Sequence, residues 1–201
     1  MKQQILVIHG GDTFADTDYD KYIQFLQDIE LDYARLTSDK TDWKRNLRRD
    51  LGADYEVILP SMPNKFNARF TEWKLWFEKL FPFLRDDIIL IGHSMGGAFL
   101  AKYLTENQFP KKIKALALVA APADADSDGN SLHTFELPSQ LNLPAGKIYL
   151  YYSTNDPIVD FDQHEKYSDQ LPQALLRTFE DRGHFNQKQF PEIIEDIKNL
   201  V

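Results

Sequence analysis

The apolar positions of this chain follow two alternating periods. Six short runs, residues 4–9, 55–59, 87–91, 113–120, 147–152 and 175–179, are nearly continuous in apolar residues and rich in β-branched ones. Continuous rather than alternating apolarity predicts strands covered on both faces, as in a parallel sheet. The segments between them carry helical spacing instead. In "NARFTEWKLWFEKLFPFL", Phe70, Trp73, Phe77, Leu80 and Leu84 recur every three or four residues on one face. Near the C-terminus Phe190, Ile193, Ile194, Ile197 and Leu200 repeat the pattern, with Pro191 in the first turn and Glu192 and Glu195 towards the positive end of the helix. "WKRNLRRDLG" sets Trp43, Leu47 and Leu51 against a basic face that reads as solvated. The aromatic stripes read as core packing rather than as a ligand box.

This alternation predicts one α/β domain over residues 1–201, with a mostly parallel sheet of about six strands flanked by helices. One stretch breaks the rhythm. Residues 122–146, "PADADSDGNSLHTFELPSQLNLPAG", are too long for an ordinary connection, so a lid-like insertion is expected at about 122–145. Within it, Asp124, Asp126, Asp128 and Gly129 imitate the start of a calcium loop. Position twelve of that loop is Phe135, however, and Glu136 arrives one residue late. No metal site is therefore expected.

Composition narrows the picture. With 201 residues and 13% aromatics the chain can build a sizeable core. Its net charge of −8, without a basic stripe, argues against nucleic acid or an anionic membrane as partner. The absence of cysteine excludes disulfides, a thiol nucleophile and cysteine-bound zinc. The first apolar run is too short for a secretory segment, and no run approaches the ~20 residues of a membrane span. The expected location is the cytoplasm.

The candidate chemistry starts at "ILIGHSMGGAF". Ser94 stands between Gly92 and Gly96 where a strand gives way to a helix, the setting that a G-x-S-x-G elbow requires. A serine needs a base, an acid to orient that base, and donors for an oxyanion. The acid candidate is Asp156 in "YSTNDPIVD", just past a strand end on the same rim of the sheet; Asp160 and Asp124 compete with it. The base candidate is His184 in "EDRGHFN", after the last strand. His133 and His164 lie in less constrained surroundings, and His93 adjoins the serine but would point away from it. The chain order Ser…Asp…His then matches a known catalytic order. For the oxyanion, the backbone N–H groups of Gly11, in "VIHGGDTF", and of Met95 are the candidates. The same glycines fit neither G-x-G-x-x-G nor a Walker loop, so no nucleotide cofactor is expected.

Taken in this order, H-G-G, G-H-S-M-G-G, S-T-N-D-P-I-V and R-G-H-F resemble the α/β-hydrolase superfamily. The compact length and "VILPSMPNKFNARFTEWKLWFEKL" ahead of the elbow resemble its small YdeN / retinoblastoma-binding-protein-nine branch of serine hydrolases. The resemblance covers nearly the whole chain. It implies a sheet lacking the superfamily's first two antiparallel strands, and a Ser94–His184–Asp156 triad. Two departures are H-G-G-D in place of a richer glycine run and Asp160 where the acid loop often has proline.

The expected activity is a serine hydrolase that forms an acyl-enzyme with a small carboxylic ester or related acyl compound, without a cofactor. The rivals are a non-catalytic binding protein on a hydrolase shell and an acyltransferase. Candidate pocket residues are Asp12, Phe14, Leu132, Phe135, Ile158 and Phe185. Nothing in the sequence sets an oligomeric state.

Overall fold

The computed structural model describes residues 1–30, 42–125 and 131–200. Six strands form one sheet: β1 (Gln3–Ile8), β2 (Tyr55–Ile58), β3 (Ile88–His93), β4 (Ile113–Val119), β5 (Ala145–Ser153) and β6 (Leu175–Phe179). Their order is β2-β1-β3-β4-β5-β6, and each pairing is parallel. The runs read from the sequence coincide with these strands apart from small shifts at their ends. The helices are α1 (Tyr19–Asp28), α2 (Trp43–Leu51), α3 (Phe70–Glu78), α4 (Met95–Glu106), α5 (Gln163–Ser168) and α6 (Pro191–Lys198).

Two cores explain the continuous apolar runs. Successive strand residues point to opposite faces, so Leu6 and Ile8 join Trp73, Phe77 and Phe99 of α3 and α4 on one side. Ile5 and Val7 join Trp43 and Leu47 of α2, Ile193 of α6 and Phe190 just before α6 on the other. The helix expected through Leu84 stops earlier. Pro82 has no N–H to continue it, and the chain passes from α3 into a 3-10 turn at Phe81–Phe83.

Strand β1 has β2 on one side and β3 on the other. The chain therefore reverses direction across the sheet between β1 and β3, and a crevice opens beyond their C-terminal ends. The glycine loop after β1 and Ser94 after β3 meet there. Residues 131–145 of the insertion pack inward: Leu132, Phe135 and Leu143 are all buried in the core. Its start is held from below, where the Tyr152 hydroxyl donates to the Ala121 carbonyl (2.6 Å) and the Tyr167 hydroxyl to that of Pro122 (2.9 Å). Asp126, Asp128 and Gly129 of the calcium-like stretch lie outside the described residues. Among the described residues no helix is long and apolar enough to cross a membrane.

Candidate active site

Ser94 occupies the turn between β3 and α4 with φ 54° and ψ −129°. A non-glycine residue reaches this left-handed backbone only when its surroundings enforce it. The Ser94 N–H donates to the Val119 carbonyl at the end of β4 (2.8 Å), and the Ser94 carbonyl accepts from Gly97 (2.8 Å). Gly96 is needed for close approach, since a Cβ there would lie 2.3 Å from the Ile8 carbonyl oxygen. Gly10 is needed for the same reason, since its Cβ would lie 2.9 Å from Ser94 Cβ. The two glycines allow β1, its exit loop and the turn to close on one another, leaving the serine half-buried.

His184 and Asp156 meet as the sequence order suggests. The imidazole Nδ1 lies 2.9 Å from Asp156 Oδ2 and 3.1 Å from Oδ1. A carboxylate accepts, so Nδ1 carries the hydrogen and Nε2 is the basic nitrogen. The Asp156 side chain is 2% exposed, and its Oδ1 also accepts from the N–H groups of Ile158 (2.9 Å) and Val159 (3.1 Å). The two loops are zipped together: Ser153 Oγ and the Gly183 N–H both donate to Asn155 Oδ1 (2.8 Å each), while the Arg182 N–H donates to Ser153 Oγ (3.1 Å). Asp160 and Asp124 lie at the same rim, Asp124 paired with Lys166.

Ser94 and His184 open onto a cavity of about 1150 Å³, with Asp156 behind the imidazole. Ser94, Met95, Gly11 and His184 share it with Asp12, Phe14, Leu132 and Ile158. The N–H groups of Gly11 and Met95 have no hydrogen-bond partner among the described residues. Desolvation raises the pKa of the Asp12 carboxyl, against the opposing fields of His184 and Lys65. Two expected pocket residues lie elsewhere. Phe135 is fully buried against Trp73 and Phe70, because the insertion folds inward over α3. Phe185 turns into the opposite core against Phe190 and Phe179, because φ 51° at that residue swings its ring away from His184. The rings of Phe25 and Phe66 line the cavity in their place.

Three further polar residues, His9, His93 and Lys44, line the cavity. His9 donates from Nδ1 to the Gly10 carbonyl (2.6 Å) and accepts from the Met62 N–H at Nε2 (2.8 Å), so the ring is neutral, and burial lowers its pKa. His93, directly before the serine, is buried, and desolvation holds its pKa well below the usual value. Lys44 has a side chain only 7% exposed, with Nζ 2.9 Å from Asp42 Oδ2; desolvation lowers its pKa while Asp42 opposes the shift. One signal was available for Lys44. It stands three residues before Leu47 and seven before Leu51, on the apolar side of α2.

Residues 36–199 match the family model described as serine hydrolase. The chain belongs to the serine hydrolase family. It is 28% identical over 158 residues to the serine hydrolase RBBP9 of Rattus norvegicus, an alignment covering 73% of this chain and 78% of the rat protein. In fold it is similar to the ydeN gene product of B. subtilis, with a TM-score of 0.74 at 18% identity over 99% of this chain and 98% of that one. A YdeN-like hydrolase from Pectobacterium atrosepticum aligns with a TM-score of 0.61 at 16% identity, over 98% and 90% of the two chains. The protein is thus a member of the serine hydrolase family with the α/β-hydrolase fold. Among the described residues no cluster of three or more His, Asp or Glu side chains could hold a metal ion. A strained serine, an imidazole on a buried carboxylate and two unengaged amides at one cavity can together perform nucleophilic acyl transfer.

Proposed function

We propose that this hydrolase cleaves carboxylic esters through a covalent acyl-enzyme on Ser94. The observation that carries the reading is the shared cavity of Ser94, on its φ 54° turn, and a His184 whose Nδ1 is bonded to the buried Asp156. His184 Nε2 takes the Ser94 proton as Oγ attacks the acyl carbon. Asp156 fixes the ring and stabilises the imidazolium that forms. The Gly11 and Met95 N–H groups meet the oxyanion, His184 returns the proton to the leaving alkoxide, and water releases the acid in the reverse sequence. Phe14, Phe25, Phe66, Leu132 and Ile158 offer an apolar surface to an uncharged or weakly polar acyl group.

Mass spectrometry after treatment with a fluorophosphonate tests the nucleophile. Wild-type protein is expected to gain one adduct, on Ser94, and Ser94→Ala none. Hydrolysis of a p-nitrophenyl ester series should fall by on the order of 10⁴-fold or more in Ser94→Ala and in His184→Ala, and little further in the double variant. Full labelling of Ser94→Ala would refute the assignment.

A further inference from the structure

The loop that carries His184 is held from α2 and from β3. His93 Nε2 lies 2.9 Å from the His184 backbone oxygen. A carbonyl can only accept, so Nε2 carries the hydrogen and, in the neutral ring, Nδ1 is the acceptor. Lys44 Nζ faces that Nδ1 at 3.5 Å and is itself anchored on Asp42. The neighbouring carbonyls are held in the same way. The Trp43 indole N–H donates to Phe185 (2.7 Å), the Trp43 backbone N–H to Gln187 (3.0 Å) and the Asn46 amide to Lys188 (2.9 Å).

The loop needs such support, because Gly183 and Phe185, on either side of His184, both have positive φ (49° and 51°). A phenylalanine does not hold that backbone unaided. A buried ammonium is also destabilising unless it serves a partner. The packing of α2 does not require one, since methionine would fill a similar volume.

We propose that Lys44 and His93 are positioning residues for the hydrolytic reaction. They form a buried donor relay, Lys44 to His93 to the His184 carbonyl, that fixes the backbone of the base and so the distance from its imidazole to Ser94. The proposal rests on the reading of His184 as the base. It assigns neither residue a contact with substrate, although both Lys44 and His93 reach the cavity wall.

The test compares kcat, KM and the rate of fluorophosphonate labelling on a neutral p-nitrophenyl ester. The proteins are wild type, His93→Leu, His93→Gln, Lys44→Met and His184→Ala, each checked for folding by its melting curve. His93→Leu and Lys44→Met are expected to lower kcat and labelling by about 10- to 100-fold with KM within about twofold, the effect of a base displaced by around an ångström. His93→Gln keeps an N–H that can donate to the His184 carbonyl and should recover most of the loss.

Wild-type kcat in folded His93→Leu, or a His93→Gln as slow as His93→Leu, overturns the relay. Should His93→Leu not fold, Lys44→Met decides: unchanged kcat, or a change confined to KM, overturns it equally. A His184→Ala protein with the wild-type rate overturns the base and the relay with it. Loss in His184→Ala without loss in the other variants overturns the relay alone.

Discussion

At the scale of single residues, the site is a set of close approaches that tolerate little change. A Cβ at Gly96 would lie within van der Waals distance of both the Ile8 and His9 carbonyl oxygens, and backbone atoms cannot yield as a flexible side chain does. Gly96→Ala should therefore cost about 3 kcal/mol or more, the upper range for overpacking, and lower the melting temperature along with activity. Asp156 accepts from His184 and from two backbone N–H groups, whereas Asp160 stands further along the same loop at the cavity wall. Asp156→Asn should lower kcat by on the order of 10⁴-fold, because the amide favours the wrong imidazole tautomer. Asp160→Asn should do far less; reversed effects would exchange the two roles.

At the scale of elements, the insertion after β4 is tied to the core by its own side chains. Phe135 sits within 6.5 Å, ring to ring, of Phe70, Trp73 and Phe99, and the Thr134 hydroxyl accepts from the Phe70 N–H at the start of α3. Phe135→Ala is accordingly expected to act on stability rather than on chain-length preference. The loss should be about 3–5 kcal/mol in denaturant unfolding, as for a fully buried phenylalanine. An unchanged denaturation midpoint with altered chain-length preference would instead return Phe135 to the pocket. Leu132 is buried yet reaches the cavity wall beside Ser131 and His133, so Leu132→Ala is expected to shift chain-length preference in the same ester series.

At the scale of the whole molecule, four of the buried tyrosines among the described residues are held as neutral phenols by hydrogen bonds. Tyr103 donates to Glu78, Tyr151 to Asp196, Tyr152 to the Ala121 carbonyl and Tyr167 to that of Pro122. Burial, above all, raises each pKa above the ordinary tyrosine value. Below about pH 10 both the folded and the unfolded chain keep these protons, and they add no pH dependence. Above it the unfolded chain loses them first, binds fewer protons than the folded one, and is favoured as pH rises. Each tyrosine should then remove about 1.4 kcal/mol of stability per pH unit until its folded-state pKa is reached. Urea titrations between pH 9 and 11 should show a steep alkaline loss, shallower in Tyr151→Phe. A flat profile would mean that the phenols are not held neutral.

Local pattern encodes part of this architecture directly. Near-continuous apolar runs such as residues 113–120 marked strands covered on both faces, and the Gly92–Gly96 frame marked a sharp turn at Ser94. The order of Ser94, Asp156 and His184 placed all three on one rim, because parallel strands present their C-terminal ends together. Packing between distant segments leaves no such local mark. Phe135 and Phe185 carry apolar side chains next to candidate site residues, and no local signal says whether such a ring faces a cavity or a core. Lys44 and His93 read as a surface charge and a bystander; they become a buried pair only because α2 docks beside β3 and over the loop after β6. Burial and hydrogen-bond partners at long range belong to the fold, and they decide which polar residues beside a site can act on it.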